Sequence, residues 1–500
     1  MIAALSLASD LGLGQPMEHG LRTCLIATRL ADAIDLDASE REAIYWMSLL
    51  AMVGCTADSF ELSELFGDDI ALRQGMYEVG PTELAQGRYF MSRAGSDGGP
   101  LRRVRAGAGL ALTGMRAVMD TLLTDCQITG RFAERLGLGE SVRDPLQEKF
   151  ARWDGKGFPK GLAGEDIALP ARMHGLTWRL EAAHRVHGVD AALELAERHA
   201  GATLDPNLVA ALLPAMPEVL EGLDEESWEA VIADEPARAR LTGDAFEGAL
   251  EAIADFADLK SPWFAGHSRG VAELAEAAGW RLGLSEPDVT LMRRAALVHS
   301  LGRTGVPNTI WDKDGPLTVA ERERMQLYPY FTERILKRGS LSELSYAAAT
   351  SQERLDGSGY PRGLKGNAIP VTGKVLAAAD VYQALCEPRA HRAAMAADEA
   401  ALQLRSEVKD GQLDGEAAEA VLAASGHRPQ RQRSSAPADL TPREIEVLRV
   451  IARGRTSAEA ARELGIETKT VSTHIEHIYA KIGASNRSVA TLFAMEHGLI

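Results

Sequence analysis

"RWDGKGFPKGLAGEDIALPARMHGL" runs from Arg152 to Leu176, and "RLDGSGYPRGLKGNAIPVTGKVLAA" runs from Arg354 to Ala378. The two share the pattern R-x-D-G-x-G-[FY]-P-[KR]-G-L-x-G-x-x-I. A second match lies upstream: His19 stands before "LLAMVG" at the spacing at which His267 stands before "LVHSLG". The offset between copies differs at the two places, so the first copy carries an insertion between Cys55 and Glu148. Agreement at two separate places makes chance a poor explanation. It points to two similar domains packed pseudo-symmetrically rather than to a solenoid.

Both copies read as helical. "LRTCLIATRLADAI" and "GVAELAEAAGWRL" place apolar residues at helical spacing, with no period-two strands. Abundant Ala and Leu, with aromatics at only 5%, also favour helix over sheet. The fold class expected is therefore all-α. A net charge of −17 removes any general attraction to nucleic acid or anionic membranes. Cys24, Cys55, Cys126 and Cys386 are scattered without a C-x-x-C pair, which reads as reduced thiols in a cytoplasmic protein. No apolar run is long enough to span a membrane, and the N-terminus lacks the basic start of a signal peptide. Walker loops, dinucleotide fingerprints and Ser or Cys nucleophile motifs are all missing from the sequence.

Composition divides the chain into residues 1–213 (first copy), 214–245 (an acidic connector), 246–425 (second copy), 426–438 (a linker) and 439–500. The linker region "SGHRPQRQRSSAPAD" has no apolar period. Its Arg428, Arg431 and Arg433 would add non-specific attraction to phosphates. Beyond it, Thr441 with Glu444 and Thr456 with Glu459 form two capping boxes, and Pro442 suits a first helical position. Gly465 makes a turn, and Val471, Ile475, Ile478 and Ile482 form the buried stripe of a third helix. Asn486 caps a fourth helix. Two short helices joined by a Gly-containing turn are a helix-turn-helix.

This last segment resembles the LuxR/FixJ-type DNA-binding domain in T-x-R-E-x-x-V-L, T-V-x-x-H and K-I-G. The resemblance implies that the third helix enters the major groove of double-stranded DNA and that the fourth makes a dimer contact. It places Ser472, Thr473 and Glu476 at base edges and Lys469, Thr470 and Lys481 at phosphates. The domain carries as many Asp and Glu as Lys and Arg, so it is not basic.

The second copy resembles the HD-GYP domain, a family of cyclic di-GMP phosphodiesterases within the HD superfamily. "GHSRGVAELA", "LVHSLGRTGVPNTIWDKDGPLTVAERERM", "ERLDGSGYPRGL" and "AAADVYQAL" carry the likeness in order. The family implies two metal ions held by His, His-Asp, His, His-His and Asp. Here those positions read His267, His299-Ser300, Tyr328, Ser351-Gln352 and Asp380, with Arg303 where a Lys is usual. His267, His299 and Asp380 would hold at most a single divalent metal, as a two-His-one-carboxylate set. The first copy keeps His19, but has Ala51-Met52, Lys149-Phe150 and Trp178 at the other positions. His184 and His187 lie off the pattern. This half would be a structural or ligand-sensing partner.

The ligand count leads to the expectation of a pseudoenzyme with no catalytic residues and no obligatory cofactor. On that reading the chain is a homodimeric, cytoplasmic transcriptional regulator, controlled by a nucleotide or another small molecule. The alternative is a metal-dependent cyclic dinucleotide phosphodiesterase with a regulatory DNA-binding tail.

Overall fold

The computed structural model describes residues 1–77, 79, 83–96, 99–223, 227–236, 241–426 and 437–500. Arg428, Arg431 and Arg433 lie outside the described residues. Among those described, the regular structure is helical and only isolated β-bridges occur. No single helix among them is long and apolar enough to cross a membrane. The four cysteines form no disulfide.

The chain divides into two units, Met1–Phe246 and Glu247–Ile500. In the first, helices His19–Ala33, Ala38–Leu50 and Leu169–His187 pack on one another, with Ile2–Gly12 and Pro206–Leu220 around them. The acidic stretch after residue 213 is partly built into this unit. Its helix Ser227–Ala233 buries Trp228 and Val231, and the Tyr45 hydroxyl donates to the Val231 carbonyl at 2.9 Å. The region holding the insertion contains helices Ser59–Phe66, Asp69–Met76 and Glu83–Arg93 and the long helix Pro100–Arg135.

The second unit repeats the central packing with His267–Arg281, Glu286–Val298 and Val371–Cys386. Local devices repeat as well. Asp10 accepts from the Gly20 amide at 3.2 Å, and Asp258 accepts from the Ser268 amide at 2.7 Å. The residue before each helix-opening histidine, Glu18 or Gly266, has φ of 78°. Phe158–Pro159 and Tyr360–Pro361 are both cis. Gly359 in the shared loop has backbone atoms of Arg354 and Gln352 where a Cβ would sit, so a side chain there would force the loop open.

The C-terminal domain of this unit has four helices, Pro442–Ala452, Ser457–Leu464, Thr468–Ile482 and Arg487–Glu496. Both capping boxes form, and Gly465 sits in the left-handed region at φ 65°. Val471, Ile478 and Ile482 are buried in its core, with Ile475 packed beside them. The fourth helix is buried along Ser488–Met495, so the face that the resemblance assigns to a dimer contact is covered within this chain.

Candidate active site

Three elements of the second unit bring His267, His299 and Asp380 together. His267 opens its helix, His299 follows the last turn of Glu286–Val298, and Asp380 lies within Val371–Cys386. One ligand atom from each lies within 4.8 Å of the others. Both imidazoles turn Nε2 toward Asp380 Oδ1, at 3.0 Å from His267 and 3.1 Å from His299.

The far side of each ring fixes that orientation. His299 Nδ1 donates to the Ala296 carbonyl at 2.6 Å, and a carbonyl can only accept. Burial holds the pKa of His299 below its ordinary value, although Asp380 opposes it. The neutral ring therefore has its proton on Nδ1 and a lone pair on Nε2, facing a carboxylate oxygen. Two electron-rich atoms at that separation suit a cation between them. His267 Nδ1 donates to Glu387 Oε2 at 2.8 Å, the carboxylate-to-imidazole support typical of metal-ligating histidines. Burial alone would lower the His267 pKa, but Glu387 and Asp380 outweigh it and raise it. Asp380 is held well below the ordinary carboxylate range: burial would raise it, and the His267 imidazole overcomes this.

At the substituted positions Gln352 and Ser300 have partners of their own, whereas the buried Ser351 hydroxyl has none. The Gln352 side-chain amide donates to Asp380 Oδ2 at 2.7 Å, and the Tyr360 hydroxyl donates to Gln352 Oε1 at 3.1 Å. The repeated loop thus reaches the carboxylate through one side chain. Ser300 Oγ lies 3.2 Å from His299 Nε2 and 3.0 Å from Ser268 Oγ, and Ser268 donates to Asp258 at 2.7 Å. Burial pushes Asp258 up to about 6, against the pull of His267 and Arg303.

Arg303 completes the constellation. Its guanidinium lies 4.4 Å from the Phe264 ring centroid and 5.5 Å from that of Tyr328, with Nη2 3.8 Å from Asp380 Oδ1. The side chain is buried, yet Nε and Nη1 have no hydrogen-bond partner. Desolvated donors of this kind are costly unless an anion meets them.

The first copy is built differently. His19 pairs with Glu181, which also accepts from Arg22 at 2.6 Å. Burial would raise Glu181, but His19 and Arg22 bring it to about 2. Lys149, at the first position of the His-His pair, is buried and donates to Asp125 at 2.6 Å, to Thr129 at 2.9 Å and to the Ala51 carbonyl. An ammonium therefore occupies this centre. His184 and His187 do not join it; His184 is half-buried and His187 exposed.

In the C-terminal domain Lys469, Thr470, Thr473 and Glu476 are exposed on the third helix, and Ser472 is half-buried. Lys481 is engaged elsewhere: its Nζ lies 2.7 Å from Glu444 and 3.1 Å from the Asp439 carbonyl. Sequence reasoning missed Glu387 and the Gln352 contact. The one available signal was an acidic residue just after the helix that carries Asp380.

A histidine-carboxylate centre in a helical domain, followed by a helix-turn-helix, defines the class. The HD domain family matches residues 251–417, and the family of bacterial regulatory proteins of the luxR type matches residues 438–494. The chain is 31% identical over 407 residues to 3'3'-cGAMP-specific phosphodiesterase 3 of Vibrio cholerae, covering 80% of this chain and 88% of the relative. It is 34% identical over 160 residues to a cyclic di-GMP phosphodiesterase of Thermotoga maritima, covering 31% of this chain and 43% of that protein. A crystal structure of a cyclic GMP-AMP specific phosphodiesterase from V. cholerae superposes with a TM-score of 0.60 at 25% identity, over 86% of this chain and 98% of that one. The chain belongs to the HD-GYP phosphodiesterase family.

These matches overturn the expectation of a pseudoenzyme and point to an enzyme. Counting substituted ligands position by position left out what the fold assembles. Three ligands still converge, a carboxylate supports one of them, and an arginine with two unmet donor nitrogens stands beside them.

Proposed function

We propose that the chain is a metal-dependent phosphodiesterase acting on a cyclic dinucleotide, 3'3'-cGAMP first among the candidates, with a DNA-binding tail. The observation that carries this reading is the convergence of two imidazole Nε2 atoms on Asp380 Oδ1, each ring oriented from behind. His267, His299 and Asp380 would hold one divalent ion, which when bound neutralises phosphate charge and lowers the pKa of a water. Gln352 fixes the second oxygen of Asp380. Arg303 has unpartnered N–H donors for phosphate oxygens, and Phe264 and Tyr328 keep that guanidinium from water. The test is turnover of 3'3'-cGAMP and cyclic di-GMP by the full chain with manganese, beside metal analysis. About one equivalent of metal with release of linear product is expected. Neither metal uptake nor turnover of either substrate would overturn the reading.

The tail is proposed to bind double-stranded DNA through the exposed face of Thr468–Ile482. Lys469→Ala should weaken binding to all sequences and reduce the slope of its salt dependence by about one. Thr473→Ala should instead change which sequences are preferred. Titrations of the full chain against genomic fragments at several salt concentrations check both. Loss of neither affinity nor selectivity would place the contact elsewhere.

A further inference from the structure

Most surface helices bury one stripe, but the last helix here is buried on all sides from Ser488 to Met495. Ala490, Phe493 and Ala494 enter the core of the helix-turn-helix domain. Val489, Leu492 and Met495, three residues apart, are also fully buried but stand outside that core. The contacts beside them lead to one segment of the HD domain, Ser261–Gly266. The Gly266 amide donates to Met495 Sδ at 3.2 Å, and the Arg455 guanidinium lies 5.8 Å from the Trp263 ring centroid. A Cβ placed on Gly266 would lie 3.2 Å from the Ile500 carbonyl oxygen. One on Gly454 would lie 3.0 Å from the Pro262 ring.

That segment also shapes the site. Phe264 packs on Arg303 and, at 6.4 Å between centroids, on His267. The Trp263 carbonyl accepts from Arg389 at 2.5 Å, and Arg389 pairs at 2.8 Å with Glu387, the residue behind His267. The first copy supplies an internal comparison. Its equivalent of Gly266 is Glu18, at the same φ of 78°, so this backbone conformation accommodates a side chain in this fold. At position 266 the space for one is taken by the C-terminal domain.

We infer that the last helix of the helix-turn-helix domain is a clasp that holds Ser261–Gly266 in the position that forms the His267 site, so that release of the DNA-binding domain loosens that site. By linkage, whatever fills the site strengthens the clasp. The contact does not occlude the recognition face, since Lys469, Thr470, Thr473 and Glu476 are exposed while it is made. The inference rests on the proposed reading only in taking the site to hold a metal ion.

The experiment is hydrogen exchange on the full chain, beside its affinity for manganese. Gly266→Glu transplants the residue of the first copy, and Arg455→Glu and Met495→Lys attack the contact from the other side. Exchange in 261–267 and in 488–495 should accelerate about tenfold or more in the folded variants. Manganese affinity should fall several-fold with it. Unchanged exchange in 261–267 across all three variants overturns the clasp. Faster exchange with unchanged manganese affinity overturns its link to the site. A wild-type chain that takes up no manganese refutes the metal reading instead, and exchange still decides the clasp.

Discussion

Asp380→Asn is expected to abolish phosphodiester turnover while leaving the protein folded. Asp380 Oδ1 is the one atom that both imidazoles face, and its other oxygen is held by Gln352. An amide keeps the shape and loses the charge, so a cation loses its anionic ligand although each ring is still held from behind. Glu387→Gln is the informative companion. It supports His267 without facing the shared point, so it should cost roughly 10- to 100-fold, recovered in part by excess manganese. Steady-state rates over a manganese titration separate the two. Equal, metal-insensitive losses would mean that Glu387 acts on substrate rather than through His267.

The second large effect concerns stability. Lys149→Met should destabilise the first unit by about 3–5 kcal/mol, because it leaves the Asp125 carboxylate buried without its cation. For a unit of this size that lowers its thermal midpoint by roughly 10 °C. Burial by itself would lower the Lys149 pKa, but Asp125 more than compensates and raises it. The double variant Lys149→Met, Asp125→Leu should recover much of the loss, since apolar groups can replace a buried ion pair at little cost. Calorimetry on the full chain measures both. A single variant as stable as the wild type would show that Thr129 and Cys55 suffice to hold Asp125.

Elements with local signals could be read from the residues alone. The helix-turn-helix announced itself through Thr441 with Glu444 and Thr456 with Glu459, because a capping box is complete within four residues. His267, His299 and Asp380 stood out because the family pattern gives their order. What stayed hidden depends on contacts between distant segments. Asp125 meets Lys149 from the long helix Pro100–Arg135, through a side-chain contact that no local pattern marks. Lys481 reads as a phosphate contact by position, yet folding aims it at Glu444. Glu387 and Gln352 gain meaning only from where His267 and Asp380 end up. The apolar outer face of the last helix suits a twofold contact as well as it suits the HD domain, and local sequence does not separate the two.

Because Val489, Leu492 and Met495 are buried on the side away from their own domain, the C-terminal domain is not an interchangeable cassette. A chimaera carrying a tail from another regulator would need the same apolar triplet and a residue with no side chain at position 266. Drift at one side of this contact restricts which substitutions the other can accept. The two parts therefore change in concert, as the halves of one folded body do, and exchanging either half calls for redesign of the seam.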